Sequence, residues 1–348
     1  MTSRDYRVMT VAGPRELRAG TGTLADPAPG RVIVEVAYTG VCGTDIHGYT
    51  DGHMLPPAVF GHEWTGRITA VGAGVTGLHV GQRVVGAVGP PCGTCAQCTA
   101  GHTEQCDTVF AEANGVDEQA PPHGGFAELV HVSARRVIAV PDEITDTEAA
   151  LVEPAAVTFH AVRRVAPRLG AITVVQGAGP IGLLTAQHAR NAGAGHVIVS
   201  EPAAARRTMA QDLGFTHVVA PDDLSQAVSD VSAGRGADVV YECAGAAALL
   251  QPSAELVRRG GTLALLGFPL EPSTVSYADW QTRELRVVGS LAYTHEDFIG
   301  AIRAIAAGRI DVARLHTGTV PLAQLQDLLD ELDSGTSAHT KALVNPRD

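Results

Sequence analysis

A chain of 348 residues exceeds one ordinary hydrophobic core and calls for two folding units, and 45% hydrophobic against 18% charged residues excludes a disordered or fibrous protein. A formal net charge of −12 offers no basic surface to a phosphate backbone and disfavours anionic membranes, so neither nucleic acid nor membrane is an expected partner. Six cysteines in a long chain without a secretion signal read as metal ligands or buried thiols rather than as a disulfide framework.

In chain order, the amino-terminal MTSRDYRVMTVAGPR lacks the apolar centre of a signal peptide, and no later stretch is apolar for long enough to cross a bilayer. A cytoplasmic protein is expected. From Val32 to Val140 short β-like runs (RVIVEVAY, GRITAVG, QRVVGAV, FAELVHV) are broken by Gly, Pro and Cys clusters, which predicts a β-rich unit. From Ala171 apolar runs alternate with helical stretches: AITVVQG, IGLLTAQHARNAG, HVIVSE, ARRTMAQDLG, ADVVYECAG, the helical LLQPSAELVRRG, GTLALLGF and ELRVVGSLAY. That alternation predicts an α/β doubly wound parallel sheet. The stretch from EDFIGAIRAIAAG to KALVNP has helical spacing followed by one strand, enough to pack back on the first unit. The expected domains are residues 1–154, 155–295 and a returning segment, 296–348.

Gly177, Gly179 and Gly182 form G-x-G-x-x-G directly after an apolar strand and at the start of a helix, with Pro180 and Ile181 between them. Gly177 permits the tight turn, Gly179 lets a pyrophosphate approach the backbone, and Gly182 lets helix pack on strand. Glu201 ends the next strand, where a carboxylate can accept hydrogen bonds from ribose hydroxyls and repel a 2′-phosphate. NAD is therefore favoured over NADP, although Arg206 or Arg207 could instead pair with that phosphate; the alternative places Arg206 on adenine and Arg207 in solvent.

Cys92, Cys95, Cys98 and Cys106 give C-x2-C-x2-C-x7-C, four thiolates able to close a tetrahedron around Zn2+ with no open position. An iron–sulfur cluster is the rival reading, ranked below zinc because nothing else in the chain points to electron transfer. Its role is stability of the lobe. Elsewhere Cys42 in VCGTDIH, His62 in GHEWTG and a carboxylate supply a mixed S/N/O set suited to a zinc with an open position, although the segments are far apart and His62 alone would more often be a satisfied histidine.

CGTDIH, GHEWTG, the four cysteines, VEP at Val152–Pro154 and GAGPIG stand in an order and at spacings that resemble the zinc-containing medium-chain dehydrogenase/reductases, over nearly the whole chain. The resemblance implies a GroES-like catalytic domain interrupted by a Rossmann domain. Glu153 in Glu-Pro resembles the sorbitol, butanediol and threonine dehydrogenase branch, which implies a dimer or tetramer. By that similarity Cys42 and His62 are ligands, with Glu63 and Glu153 direct or water-bridged in different states. It also implies that Leu266, Gly267, Phe268, Ser290 and Leu291 offer backbone around the nicotinamide. In the sorbitol pattern an arginine precedes a tyrosine late in the Rossmann unit; here Ala292 precedes Tyr293, which argues against sorbitol itself.

An alcohol must lose its hydroxyl proton before it can expel a hydride, and Zn2+ supplies that acidity as it lowers the pKa of bound water. Thr44 can accept the proton and His47 pass it on, with a turn hydroxyl and a loop histidine as the alternatives, and Glu153 with a water could do the same work. Asp45 is expected to orient His62. The loop from Asp107 to Gly125, with Phe110, Glu112, Asn114 and Asp117, is expected at the entrance, and Cys243 as a buried thiol. Trp64 and Trp280 read as packing residues. The expected activity is NAD-dependent oxidation of a small polyol, vicinal diol, cyclitol or amino alcohol. The alternatives are a biosynthetic ketone or aldehyde reductase and a catalytically silent binding relative. Lys341 is the only lysine, and no mechanism is read from it.

Overall fold

Valine builds the first sheet. In RVIVEVAYTG the β-branched residues suit a pleated surface, and all but three positions of the Arg31–Gly40 strand are buried. The computed structural model describes residues 4–51, 58–113, 124–269 and 271–348; Asn114 and Asp117, and the side chain of Glu112, fall outside the described residues. It divides the chain into one unit of Met1–Glu153, Thr294–Ala306 and Leu315–Asp348, and a second of Pro154–Tyr293 and Ala307–Arg314.

In the first unit a seven-stranded sheet runs in the order His316–Pro321, Lys341–Asn345, Arg31–Gly40, Glu63–Val71, Arg83–Gly86, Val137–Ala139, with Leu129–Ser133 pairing Arg31–Gly40 off that path. On one side Val32, Val34 and Val36 pack with Trp64, Ile68 and Val84. A second cluster joins Met9, Val11, Val41, Tyr49, Phe60 and Phe126 to Leu325, Leu328, Leu329 and Val344 of the carboxyl-terminal segment, so the chain's end completes a core begun at its start. The returning segment carries two strands rather than one. His316–Pro321, HTGTVP, has no apolar run to announce it and is placed by parallel pairing with Lys341–Asn345. An antiparallel hairpin of Arg4–Gly13 and Glu16–Leu24 also lies in this unit.

The second unit holds six parallel strands in the order His217–Val219, His196–Ser200, Ile172–Gln176, Ala237–Glu242, Val257–Leu265, Arg286–Gly289. Numbered along this unit that is 3-2-1-4-5-6, the doubly wound order of dinucleotide-binding sheets. The helix expected through Gly260 stops at Leu256, and Val257 turns extended to start the next strand. Its side chain is buried in the core with Val240 and Leu263, which outweighs the helical spacing. Among the described residues no helix is long and apolar enough to cross a membrane.

Candidate active site

Three strands converge on the first unit's buried centre. Arg31–Gly40 runs between Lys341–Asn345 and Glu63–Val71, with Gly40 opposite both Leu343 and Glu63. The chain then turns at Cys42 into the Gly43–Asp51 helix. Ligand atoms of Cys42, His62 and Glu63 lie within 4.8 Å of one another. Glu153, second residue of the Val152–Val165 helix, is outside that trio but buried and electrostatically coupled to it. Burial pushes its carboxyl up to about 7, with Glu63 and Asp45 adding to the shift and His62 and Lys341 opposing it.

Asp45 ties the backbone of Cys42 to that of Gly61, the residue before His62: Cys42 N donates to its Oδ2 at 2.9 Å and Gly61 N to its Oδ1 at 3.1 Å. His62 Nδ1 stands 3.7 Å from Asp45 Oδ1, beyond a direct hydrogen bond, so Asp45 positions His62 through the preceding residue's backbone and through charge. Burial alone would lower the His62 imidazole, but Asp45, Cys42 and Glu153 hold it well above its ordinary range. A histidine held this way beside a thiol and carboxylates is in an anionic pocket, the setting that a divalent cation relieves. Thr44 Oγ1 is 3.5 Å from Cys42 Sγ. Thr44 is exposed and His47 half-buried; both lie on the Gly43–Asp51 helix.

The sequence reading missed one member of this centre. The Lys341 ammonium forms an ion pair with Glu63 Oε2 and donates to Val41 O at 2.8 Å, with both charged side chains almost fully buried. Burial would push the ammonium down, yet Glu63, Cys42 and Glu153 hold it above the ordinary lysine range. Gly40 makes the space: a Cβ there would stand 2.0 Å from Glu63 Oε2 and 3.0 Å from Lys341 Cε. Only the uniqueness of the lysine could have drawn attention to it.

The four cysteine sulfurs of the lobe also lie within 4.8 Å of one another. Backbone amides converge on them: Cys92 N donates to Cys106 Sγ at 3.3 Å, Cys95 N to Cys92 Sγ at 3.3 Å, and Cys98 N to Cys95 Sγ at 3.5 Å. Hydrogen bonds from Thr94 and Cys95 bring the Cys92 thiol down to about 5, the direction that favours a thiolate. Nearby, Phe110 lies on the Asp107–Ala113 helix and is exposed.

In the second unit a groove of about 780 Å3 is lined by Gly177, Gly179, Glu201, Arg206, Asp222 and Ala244, among others. Gly177 has φ +94°, and a Cβ at Gly182 would stand 1.8 Å from Gly177 O, so both positions demand glycine. Gly179 caps the Pro180–Asn191 helix without a side-chain bond, with Pro180 and Ile181 in its first turn. Glu201, buried, bridges two loops by accepting from Ala178 N at 2.7 Å and Ala203 N at 3.0 Å. Arg207 is committed to the carbonyls of Glu201 and Pro202, at 2.8 and 2.6 Å, rather than solvated. Leu266, Gly267 and Phe268, and Ser290 and Leu291, follow two adjacent strands at their carboxyl ends and are not part of that groove's lining. Cys243 lines the groove, its thiol pushed up by burial. Trp64 and Trp280 pack in their units' cores.

Residues 28–142 match the alcohol dehydrogenase GroES-like domain and residues 180–307 the zinc-binding dehydrogenase domain. Sorbitol dehydrogenase of Bacillus subtilis (strain 168) is 32% identical over 355 residues, covering 99% of this chain and 98% of its own. The chain belongs to the zinc-binding alcohol dehydrogenase family. It is an α/β dehydrogenase with a GroES-like domain and a Rossmann-type parallel sheet, as the resemblance implied. Among solved structures, a Sinorhizobium meliloti 1021 protein bound to NADP is 29% identical with TM-score 0.86, covering 99% of this chain and 100% of its own. An alcohol dehydrogenase from E. coli CFT073 complexed with NADH is 26% identical with TM-score 0.85, covering 98% and 99%.

Proposed function

We propose that this dehydrogenase transfers a hydride between a secondary alcohol and NAD, at a zinc site made by Cys42, His62 and Glu63 with Glu153 beside them. The observation that carries the reading is a half-buried thiol and imidazole and a buried carboxylate within 4.8 Å of one another in a zinc-binding dehydrogenase. That donor set fits an open zinc site. When bound, the ion supplies the acidity that an alcohol hydroxyl lacks at neutral pH. The chain's own residues do the rest. Thr44, exposed beside Cys42, takes the hydroxyl proton, and His47, one helical turn on, passes it towards solvent. Cys92, Cys95, Cys98 and Cys106 hold a second zinc that stiffens the lobe.

Glu201 supports NAD over NADP: it lines the groove, and Arg207 is already spent on carbonyls, leaving Arg206 as the cation among the groove's lining residues. Carboxylate oxygens that each accept one amide retain capacity for ribose hydroxyls. Pro180, Ile181 and Gly182 set the phosphate-facing helix, while Leu266, Gly267, Phe268, Ser290 and Leu291 border the nicotinamide. The substrate class is a small polyol, vicinal diol, cyclitol or amino alcohol, in keeping with the sorbitol dehydrogenase relative. A cytoplasmic homo-oligomer, dimer or tetramer, completes the reading.

The test is a panel of polyols, cyclitols, diols and β-hydroxy amino acids with NAD and with NADP, followed by absorbance of the reduced cofactor. Turnover on members of one hydroxylated class with NAD is expected. Turnover confined to NADP would overturn the cofactor reading, and silence across the panel the substrate class.

A further inference from the structure

A chain that uses arginine everywhere else keeps its single lysine buried in the candidate metal centre. The surroundings explain why a charge is wanted there. A divalent ion is neutralised by the Cys42 thiolate and one ligating carboxylate. The remaining buried acids, Glu153 and Asp45, then leave an anionic excess that burial makes costly. Lys341 is a cation within reach: its ammonium pairs with Glu63 and feels the charges of Cys42 and Glu153 as well. Its shape also fits. A straight stem ending in a compact ammonium passes beside Gly40, where even a Cβ would stand 3.0 Å from Lys341 Cε, and ends between Glu63 Oε2 and Val41 O. The broader planar guanidinium would need a wider slot.

We propose that Lys341 is a positioning residue of the metal centre: it grips Glu63 at one oxygen, ties it to the backbone leading into Cys42, and supplies the positive charge that lets a thiolate and several carboxylates share one buried site with a divalent ion. The proposal deepens the zinc-site reading above and rests on it. Lys341 touches no reacting atom; it acts through Glu63. A lysine that merely pinned the Lys341–Asn345 strand to its neighbour would be indifferent to metal.

That difference is measurable, and the single lysine makes it so, because lysine labelled with 13C at Cε gives one side-chain signal per untagged chain. Metal-stripped protein is titrated with Zn2+ alone. The signal is expected to hold still while the four-cysteine lobe fills and to move in step with the second equivalent; a signal unmoved by the second equivalent overturns the proposal. In parallel, zinc affinity is measured by chelator competition on Lys341→Met and Lys341→Arg. The Met variant is expected to bind the second zinc about 10- to 100-fold more weakly while keeping the lobe zinc, and the Arg variant to recover part of that loss. Wild-type affinity for both zincs in Lys341→Met overturns the proposal. If that variant does not fold, the labelled wild-type chain decides alone. A wild-type chain that takes up no second zinc at all defeats the underlying zinc-site reading instead.

Discussion

The two metal-ligand clusters are built in opposite ways. The four cysteines come from one segment of fifteen residues, 92–106, three of them half-buried, and their sulfurs are met by neighbouring amides. Cys42, His62, Glu63 and Lys341 come from two strands and the segments beside them, with residues three hundred positions apart, and bury a full ion pair. A local cluster can organise with its own loop; a distributed one exists only when the whole sheet has formed. The first can therefore serve stability, while the second can hold charges apart from water, which chemistry on an alcohol needs.

The sharpest way to break this contrast is Cys42→Ala. Turnover is expected to fall at least about a thousandfold, with the lobe zinc and cofactor binding retained. Steady-state rates, metal analysis and cofactor titration check it, and near-normal turnover would erase the distinction between the clusters. Next, Cys98→Ala should cost one zinc and lower Tm by about 10 °C, because a structural zinc contributes folding energy directly. Calorimetry with metal analysis measures this. Loss of both zincs at once would show that the clusters are not independent.

A third test uses a residue of the second unit. His188 is buried, and burial brings its imidazole down to about 4 while its Nε2 lies 3.1 Å from Ala155 O. The unfolded chain, with an ordinary histidine near 6.5, takes up the proton first as pH falls. Stability is thus complete above about pH 6.5 and declines towards pH 4, by about 3 kcal/mol in all. His188→Gln should flatten that part of the denaturation profile; an unchanged slope would show that other groups govern it. The smallest effect is expected from Glu201→Ala, about tenfold weaker NAD binding with the preference against NADP relaxed, read from binding titrations. An unchanged preference would remove Glu201 from cofactor discrimination.

Legibility followed the same contrast. The lobe could be read from spacing because its ligands are neighbours in sequence. The doubly wound sheet was legible because a fully buried parallel strand, such as the one in AITVVQG, must be a continuous apolar run. The Glu16–Leu24 strand of the hairpin and the His316–Pro321 strand were not, since the first is mostly exposed and neither carries an apolar run. The ion pair of Glu63 and Lys341 was invisible for a different reason: its partners meet only through the order of strands on either side of Gly40. Asp45 was placed in the right neighbourhood, and its hydrogen bonds from the amides of Cys42 and Gly61 were the part that the sequence could not show.

The proposed activity depends on a divalent ion held among Cys42, His62 and Glu63. Graded chelation of the purified chain, with zinc content and turnover followed on the same samples, tests it most directly. The expected course is two zincs per chain at the outset and a rate that falls in proportion to loss of one of them, returning when Zn2+ is restored. A full rate persisting after that zinc has gone would contradict it.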